Sequence, residues 1–264
     1  GLVHYLVLRK VIRKIRFDAH LPVDPRLRGD DRGKDEQSYS ASLPSISIIV
    51  PARNEAGTIE RIARELPALG PFTEIIFVEG HSSDNTLSEI ERVSALHIQG
   101  KKFFKAVQVG KGKGDAVRLG FDMASGDILA IYDADMTVPP NEIEKFYTAI
   151  VQNRGEFING SRLVYPVEKG AMRVLNVIGN KFFSLAFSAI IGQSIKDTLC
   201  GTKVLWSKDY EDIKRNRSFF GNFDPFGDFD LLFGAVKTNR KIVDMPVHYR
   251  DRVYGATNIS RWRH

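Results

Sequence analysis

Asp133 and Asp135 stand one alanine apart at the end of the apolar run from Ile128 to Tyr132. Such a pair suits a hard divalent cation, Mg²⁺ or Mn²⁺, which takes carboxylate oxygen and keeps positions open for a diphosphate. A strand-end Asp that caps the next turn explains one carboxylate but not two. Three other clusters carry chemistry. Pro51-Ala52-Arg53-Asn54-Glu55 follows one apolar run, and Glu79-Gly80-His81-Ser82-Ser83-Asp84-Asn85-Thr86 follows another. The third, GKGKGDAVRLG from 110 to 120, sets Lys111 and Lys113 among glycines at the entry to a helix. Backbone N–H groups and the positive helix end can cradle phosphate there. It is not a P-loop, since no Ser or Thr follows Gly-Lys at the required place. Nor is it G-x-G-x-x-G, since Asp115 or Val117 takes the last position. GDFD (227–230) offers Asp228 and Asp230 as general bases, or as acids favoured at a helix N-terminus. Arg162, Arg250 and Arg252 are candidates to clamp a phosphate through guanidinium forks. Arg250 and Arg252 alternate along an apparent strand and so share a face.

The elements that position these residues follow from patterning. ISIIVP (46–51), EIIFV (74–78), DILAIYDAD (127–135) and EFING (156–160) read as strands. Helical spacing covers 55–69, a second helix runs from an Asp84 cap to Leu96, and a third spans 115–124. Pro139-Pro140 opens a fourth. Strand and helix alternating in this way predict an α/β domain with a mostly parallel sheet. In such sheets ligands bind at the carboxyl ends of strands, where every cluster named above lies.

The 264 residues are ample for a buried core, and 43% hydrophobic with 27% charged is ordinary for a globular chain. The net charge of +6 is concentrated at the ends: residues 1–17 hold five Lys/Arg and no acid. Residues 2–17 predict a basic amphipathic helix, through Leu8, Val11, Ile12 and Ile15, that either lies on an anionic membrane or packs on the main domain. Residues 18–44 are charged and punctuated by Gly, Pro and Ser, and read as a flexible linker. A folded domain is expected over 45–264. The apolar, Phe-rich stretch 172–192 is either an interfacial helix or a core helix. No run reaches the length of a spanning helix. The single cysteine, Cys200, excludes an intramolecular disulfide and a cysteine-based zinc site. Gly1 at the start and the abrupt Arg261-Trp262-Arg263-His264 end lead us to expect a piece of a longer protein.

Taken in order, these motifs resemble the family 2 glycosyltransferases of GT-A fold, nearest to the polyprenyl-phosphate (dolichyl-phosphate) mannosyl- and glucosyltransferase branch. The likeness runs from about Ser45 to His264. It rests on Pro51 to Glu55, Glu79 to Thr86, Gly112 to Arg118, Asp133 with Asp135, Gly160-Ser161-Arg162, Asp197-Thr198-Leu199-Cys200-Gly201-Thr202-Lys203 and VHYRDRVYG (247–255). It departs from the family at Glu79-Gly80, where the pattern has Asp-Asp. It departs again at Asn258 to Trp262, where the branch has Ser-Lys.

The resemblance implies a GT-A (nucleotide-diphospho-sugar transferase) fold, a mostly parallel, Rossmann-like sheet flanked by helices. It implies a metal-dependent, inverting hexosyltransferase with a GDP- or UDP-sugar donor. Pro51, Arg53, Glu55 and Glu79 would then face the nucleotide, with Lys113 and Arg118 near its diphosphate. Asp133 and Asp135 would hold Mg²⁺ or Mn²⁺. The acceptor is a polyprenyl phosphate held by Arg162, Arg250 and Arg252, or a glycan hydroxyl activated by Asp228. A dianionic phosphate needs positive charge more than a base. The expected setting is peripheral, on the cytoplasmic face of the membrane, with no nucleic acid as partner. Two other classes remain open: a sugar-1-phosphate nucleotidyltransferase, and a non-catalytic module. The first calls for a Gly-rich basic loop after the first strand, where this chain has Pro51 to Glu55. The second accounts for the missing Asp at Gly80 but not for the intact Asp133 and Asp135.

Overall fold

Ile46, Ile48 and Val50 bury on one side of a strand while Ile49 buries on the other, so the first apolar run lies inside a sheet covered on both faces. The computed structural model describes residues 43–162, 164, 184–185, 188, 192–217 and 227–255, all within one compact unit. In chain order the elements are β1 (Ile46–Ala52), α1 (Ile59–Glu65), β2 (Thr73–Glu79), α2 (Thr86–Ser94), β3 (Lys101–Val107), α3 (Lys113–Met123) and β4 (Ile128–Ile131). There follow α4 (Glu142–Val151), β5 (Phe157–Ser161), β6 (Lys203–Trp206), α5 (Ser207–Arg215), α6 (Asp228–Lys237) and β7 (Ile242–Pro246). The strands form a seven-stranded sheet in the order β3-β2-β1-β4-β6-β5-β7. Only β6 runs antiparallel to its neighbours.

One face of the sheet is covered by α1, α2 and α4 through Ile59, Ile62, Ile90, Val93, Ile143 and Phe146. The other is covered by α3, α5 and α6 through Val117, Phe121, Tyr210, Ile213, Leu231 and Leu232. This is the mostly parallel sheet flanked by helices expected from the sequence, a three-layer α/β/α sandwich. Its helices obey local rules. The last turn of α1 stops before Pro67, which disfavours helical geometry in the residue preceding it. At the start of α4, Glu142 N–H donates to Pro139 O at 3.0 Å.

Several boundaries differ from expectation. Helix α1 begins at Ile59, because Glu55 to Thr58 form a turn closed by Thr58 N–H to Glu55 O at 3.0 Å. Asp84 precedes the N-cap, Asn85, yet still accepts the Thr86 N–H at 2.9 Å. Strand β4 ends at Ile131, so the two carboxylates sit on the turn beyond it. Residues 247–252 are not a strand; β7 ends at Pro246 and the chain runs on irregularly. Strands β3 and β6 were not expected at all. The N-terminal helix and all but the last two residues of the linker lie outside the described residues, as does nearly all of the stretch 172–192.

Candidate active site

Three neighbouring parallel strands end at one edge of the sheet, and the turn after each contains a residue with left-handed backbone. Asn54 after β1, His81 after β2 and Met136 after β4 have φ of 56°, 58° and 56°. This conformation is unfavourable outside glycine and persists where the surroundings enforce it. The first two turns are laced together. Asn54 Oδ1 accepts the Ser83 N–H at 2.7 Å, and Ser82 Oγ accepts the Asn54 N–H at 3.0 Å. His81 Nε2 lies 3.1 Å from Gly110 O, tying the β2 end to the glycine loop.

Beyond β4, Tyr132 is fully buried and its hydroxyl donates to Val138 O at 2.7 Å, fixing the turn from below. Asp135 Oδ1 accepts both the N–H and the hydroxyl of Thr137, at 3.1 and 2.9 Å. Each carboxylate meets a cation. Lys113, the first residue of α3, places Nζ 2.5 Å from Asp133 Oδ1. Arg252 places Nη2 3.2 Å from Asp135 Oδ2 and donates through Nη1 to Glu55 Oε1. The segment carrying Arg252 is held at both sides: Arg250 N–H donates to Thr137 O at 2.8 Å, and the Tyr254 ring covers Gly57, where a Cβ would collide with it.

The electrostatics divide the carboxylates. Burial works to raise Asp133, but Lys113, then Lys203 and Arg162, hold it below the usual carboxylate range. Asp135 is raised, by burial and then by repulsion from Asp133. Burial pushes Glu55 up to about 7 against the pull of Arg252, and its Oε2 has no hydrogen-bond partner among the described residues. For Glu79 burial is opposed by hydrogen bonds from Ser82 and His81, which leave it lowered; its Oε1 accepts the Ser82 N–H at 2.5 Å.

The floor of the site comes from the loop before β6. Arg162 donates to both oxygens of the fully buried Asp197, at 2.7 and 2.9 Å, and stacks 5.2 Å from the Tyr249 ring. Lys203, also fully buried, donates to Cys200 O. Gly201 lies so close to the Lys113–Asp133 pair that a Cβ there would strike Asp133 Oδ2 and Lys113 Nζ. Gly227, at the start of α6, meets α3 at Gly114, where a Cβ would come 2.7 Å from Gly114 Cα. Two helix N-termini thus meet beside Asp133.

Lys113, Asp133, Asp135, Glu55 and Arg252 are brought together; Pro51 is the next-to-last residue of β1, Glu79 is the last of β2, and exposed Arg53 follows β1. Other expected residues lie elsewhere. Arg118 is five positions from Lys113, about 140° around the helix, and faces Arg217, Asp230 and Asp115 in a small cavity lined also by Tyr210 and Leu231. Asp230 pairs with Arg217 at 3.2 Å in that cavity. Arg162 is engaged with Asp197. Arg250 is exposed while Arg252 is half-buried, so the two do not share a strand face. The side chain of Asp228 lies outside the described residues. Sequence reasoning assigned no role to Asp197, Gly201 or Lys203, although a lysine opening the apolar run Val204 to Trp206 was a readable signal of a buried charge.

Residues 47–229 match the model of the glycosyl transferase family 2 proteins. The chain belongs to that family. Among family 2 relatives, the undecaprenyl-phosphate 4-deoxy-4-formamido-L-arabinose transferase of Yersinia enterocolitica is 32% identical over 84% of this chain and 65% of its own length. The dolichol-phosphate mannosyltransferase of Pyrococcus furiosus is 28% identical over 81% of this chain and 59% of its own length. The chain thus spans less than two thirds of either relative. Glucosyl-3-phosphoglycerate synthase from Mycobacterium tuberculosis, crystallised with Mn²⁺ and UDP, shares the fold with a TM-score of 0.58 at 18% identity, covering 81% of this chain and 73% of its own.

A divalent cation fits these residues. Asp133 and Asp135 are hard oxygen donors on one turn, and each pairs with a side-chain cation, Lys113 and Arg252. Among the described residues no group of three or more His, Cys, Asp or Glu could enclose an ion. A site of one or two carboxylates completed by substrate phosphate and water is the usual form for Mg²⁺.

Proposed function

We propose that this family 2 glycosyltransferase moves a sugar, with inversion, from a nucleoside diphosphate to a polyprenyl phosphate at the cytoplasmic membrane surface. The observation that carries the reading is Arg252, a guanidinium set against Asp135 and Glu55 at the mouth of the site. The relatives named for undecaprenyl and dolichol phosphate support the acceptor class.

In this reading the nucleoside lies over Pro51, Arg53 and Glu79, and Lys113 turns to the diphosphate. Asp133 and Asp135 would hold Mg²⁺ or Mn²⁺, which when bound neutralises charge on the departing diphosphate. Arg252 leaves Asp135 and orients the acceptor phosphate for in-line attack on the anomeric carbon. As that carbon–oxygen bond forms, the bond to the diphosphate breaks. A phosphate monoester has a second pKa of about 6, so no proton need be removed. A glycan hydroxyl acceptor is the second reading. It is favoured by the position of Asp228, next to Gly227 where α6 meets α3, since a hydroxyl needs a base. Residues 1–17 would supply membrane attachment; among the described residues no helix is long and apolar enough to cross a bilayer.

The test compares Arg252→Ala with Asp228→Asn, at saturating donor, on polyprenyl phosphate and on sugar-alcohol acceptors. Loss of a bidentate phosphate contact should lower the rate about ten- to a hundred-and-fifty-fold in Arg252→Ala, with Asp228→Asn near normal. A large defect in Asp228→Asn beside a near-normal Arg252→Ala would favour the hydroxyl acceptor.

A further inference from the structure

Gln108 follows the last residue of β3, and its N–H donates to Glu79 O at 3.0 Å, so it lies abreast of Gly80 at the carboxyl end of the sheet. Its side chain is 4% exposed, and Oε1 has no hydrogen-bond partner among the described residues. A buried amide oxygen without a donor is uncommon and unfavourable, and calls for a partner that the described residues do not provide. The amide lies beside the bare backbone of Gly80 at the end of β2. Its Nε2 is 3.7 Å from where a Cβ on Gly80 would lie, and Arg53 Cβ is 3.3 Å from the same point. The neighbouring carboxylate cannot fill the need, because Glu79 is held ionised, with Oε1 accepting the Ser82 N–H, and has no proton to donate.

We propose that Gln108 reads the nucleobase of the donor and selects uracil or thymine over guanine. The inference rests on the donor reading above, which puts the nucleoside against these strand ends. Uracil and thymine present one N–H donor, N3–H, flanked by two carbonyl acceptors. Gln108 Oε1 accepts N3–H and Nε2 donates to one carbonyl, while Arg53 brings only donors to the other. Guanine presents two adjacent donors, N1–H and the 2-amino group, which two carboxylate oxygens match. A carboxamide meets N1–H and O6 but leaves the amino group without an acceptor in a dry site. Cytosine N3 carries no proton and sets a lone pair against Gln108 Oε1 in the amide orientation seen here, so cytosine is met only if the amide turns over. Gly80 in place of an acid removes the carboxylate that guanine would need.

Calorimetry on the full chain with Mn²⁺, titrating UDP, CDP, GDP and inorganic pyrophosphate, tests this. UDP should bind about ten-fold more tightly than GDP or CDP, as expected for one matched hydrogen-bonded edge. Gln108→Leu, folded by circular dichroism, should lose about ten-fold in UDP affinity and bind pyrophosphate as before. Gly80→Asp, which restores a carboxylate beside Nε2, should shift the preference toward GDP. GDP or CDP binding as tightly as UDP, or undiminished UDP binding by Gln108→Leu, would overturn the inference while leaving the donor reading intact. A wild-type chain that binds pyrophosphate but no nucleotide, or neither, would overturn both.

Discussion

The sheet half made of β3, β2, β1 and β4 and the half made of β6, β5 and β7 both bring charge to Asp133, but from opposite sides of the surface. In the first half charged side chains follow directly on strand ends, and Lys113, Arg53 and Asp135 stay partly open to solvent. In the second half the charges of the loop before β6 are interior. Asp197 and Lys203 are fully buried, and Asn159 joins the Asp197 carbonyl to Asp244 Oδ1 with two bonds of 2.8 Å. The difference is one of task. The half-open pairs of the first half can exchange for a substrate at little desolvation cost, while the loop before β6 backs the carboxylate turn with the buried Arg162–Asp197 pair.

Breaking a buried pair should therefore have the largest effect. Asp197→Ala strands Arg162 inside the protein and should lower unfolding free energy by about 3–5 kcal/mol, measured by urea denaturation. Next comes the contact between the halves. Gly201→Ala pushes Asp133 and Lys113 apart, and a shift of about 1 Å at a reacting centre can lower rate about a hundred-fold; donor turnover with Mn²⁺ would show it, with the fold retained.

A titration sharpens the same contrast. Glu55 is raised from 4.5 to about 7, so the folded state holds its proton more tightly than the unfolded chain. That contribution to stability is complete below pH 4.5 and fades as pH rises through about 7. Glu55→Gln should flatten the fall in thermal midpoint between those pH values; an unchanged slope would mean that Glu55 titrates normally. The smallest effect belongs to the surface. Arg61→Ala opens the exposed Arg61–Glu65 pair of 2.9 Å on α1 and should alter stability by about 0.3–0.5 kcal/mol.

The two halves were also unequally legible. Strands β1, β2 and β4 announce themselves as apolar, β-branched runs, and the carboxylates could be read because they follow one directly. The edge strand β3 reads KKFFKAV, with Lys102 and Lys105 exposed, and gives no such run. Strand β6 enters from about forty residues beyond β5 to lie antiparallel between β4 and β5, a pairing that no local pattern encodes. Lys203 begins a strand of four residues, too short for alternation to mark it as inward. The glycine-loop motif joined Lys113 and Arg118 as one phosphate group, but helix geometry sends them to different faces. Gln108 carries no motif; its buried, unmatched oxygen is visible only once β3 is placed beside β2.

The central claim is that Asp133 and Asp135 hold a divalent cation for a nucleotide-sugar donor, and Asp135→Ala tests it most directly. Asp135 meets Thr137, Arg252 and its fellow carboxylate but no hydrophobic core, and its removal relieves repulsion with Asp133. Calorimetry with UDP- and GDP-sugars in Mn²⁺ should show cation-dependent binding by the wild type and none by the variant, at an equal or higher thermal midpoint. Unchanged, Mn²⁺-dependent affinity in Asp135→Ala would contradict the account.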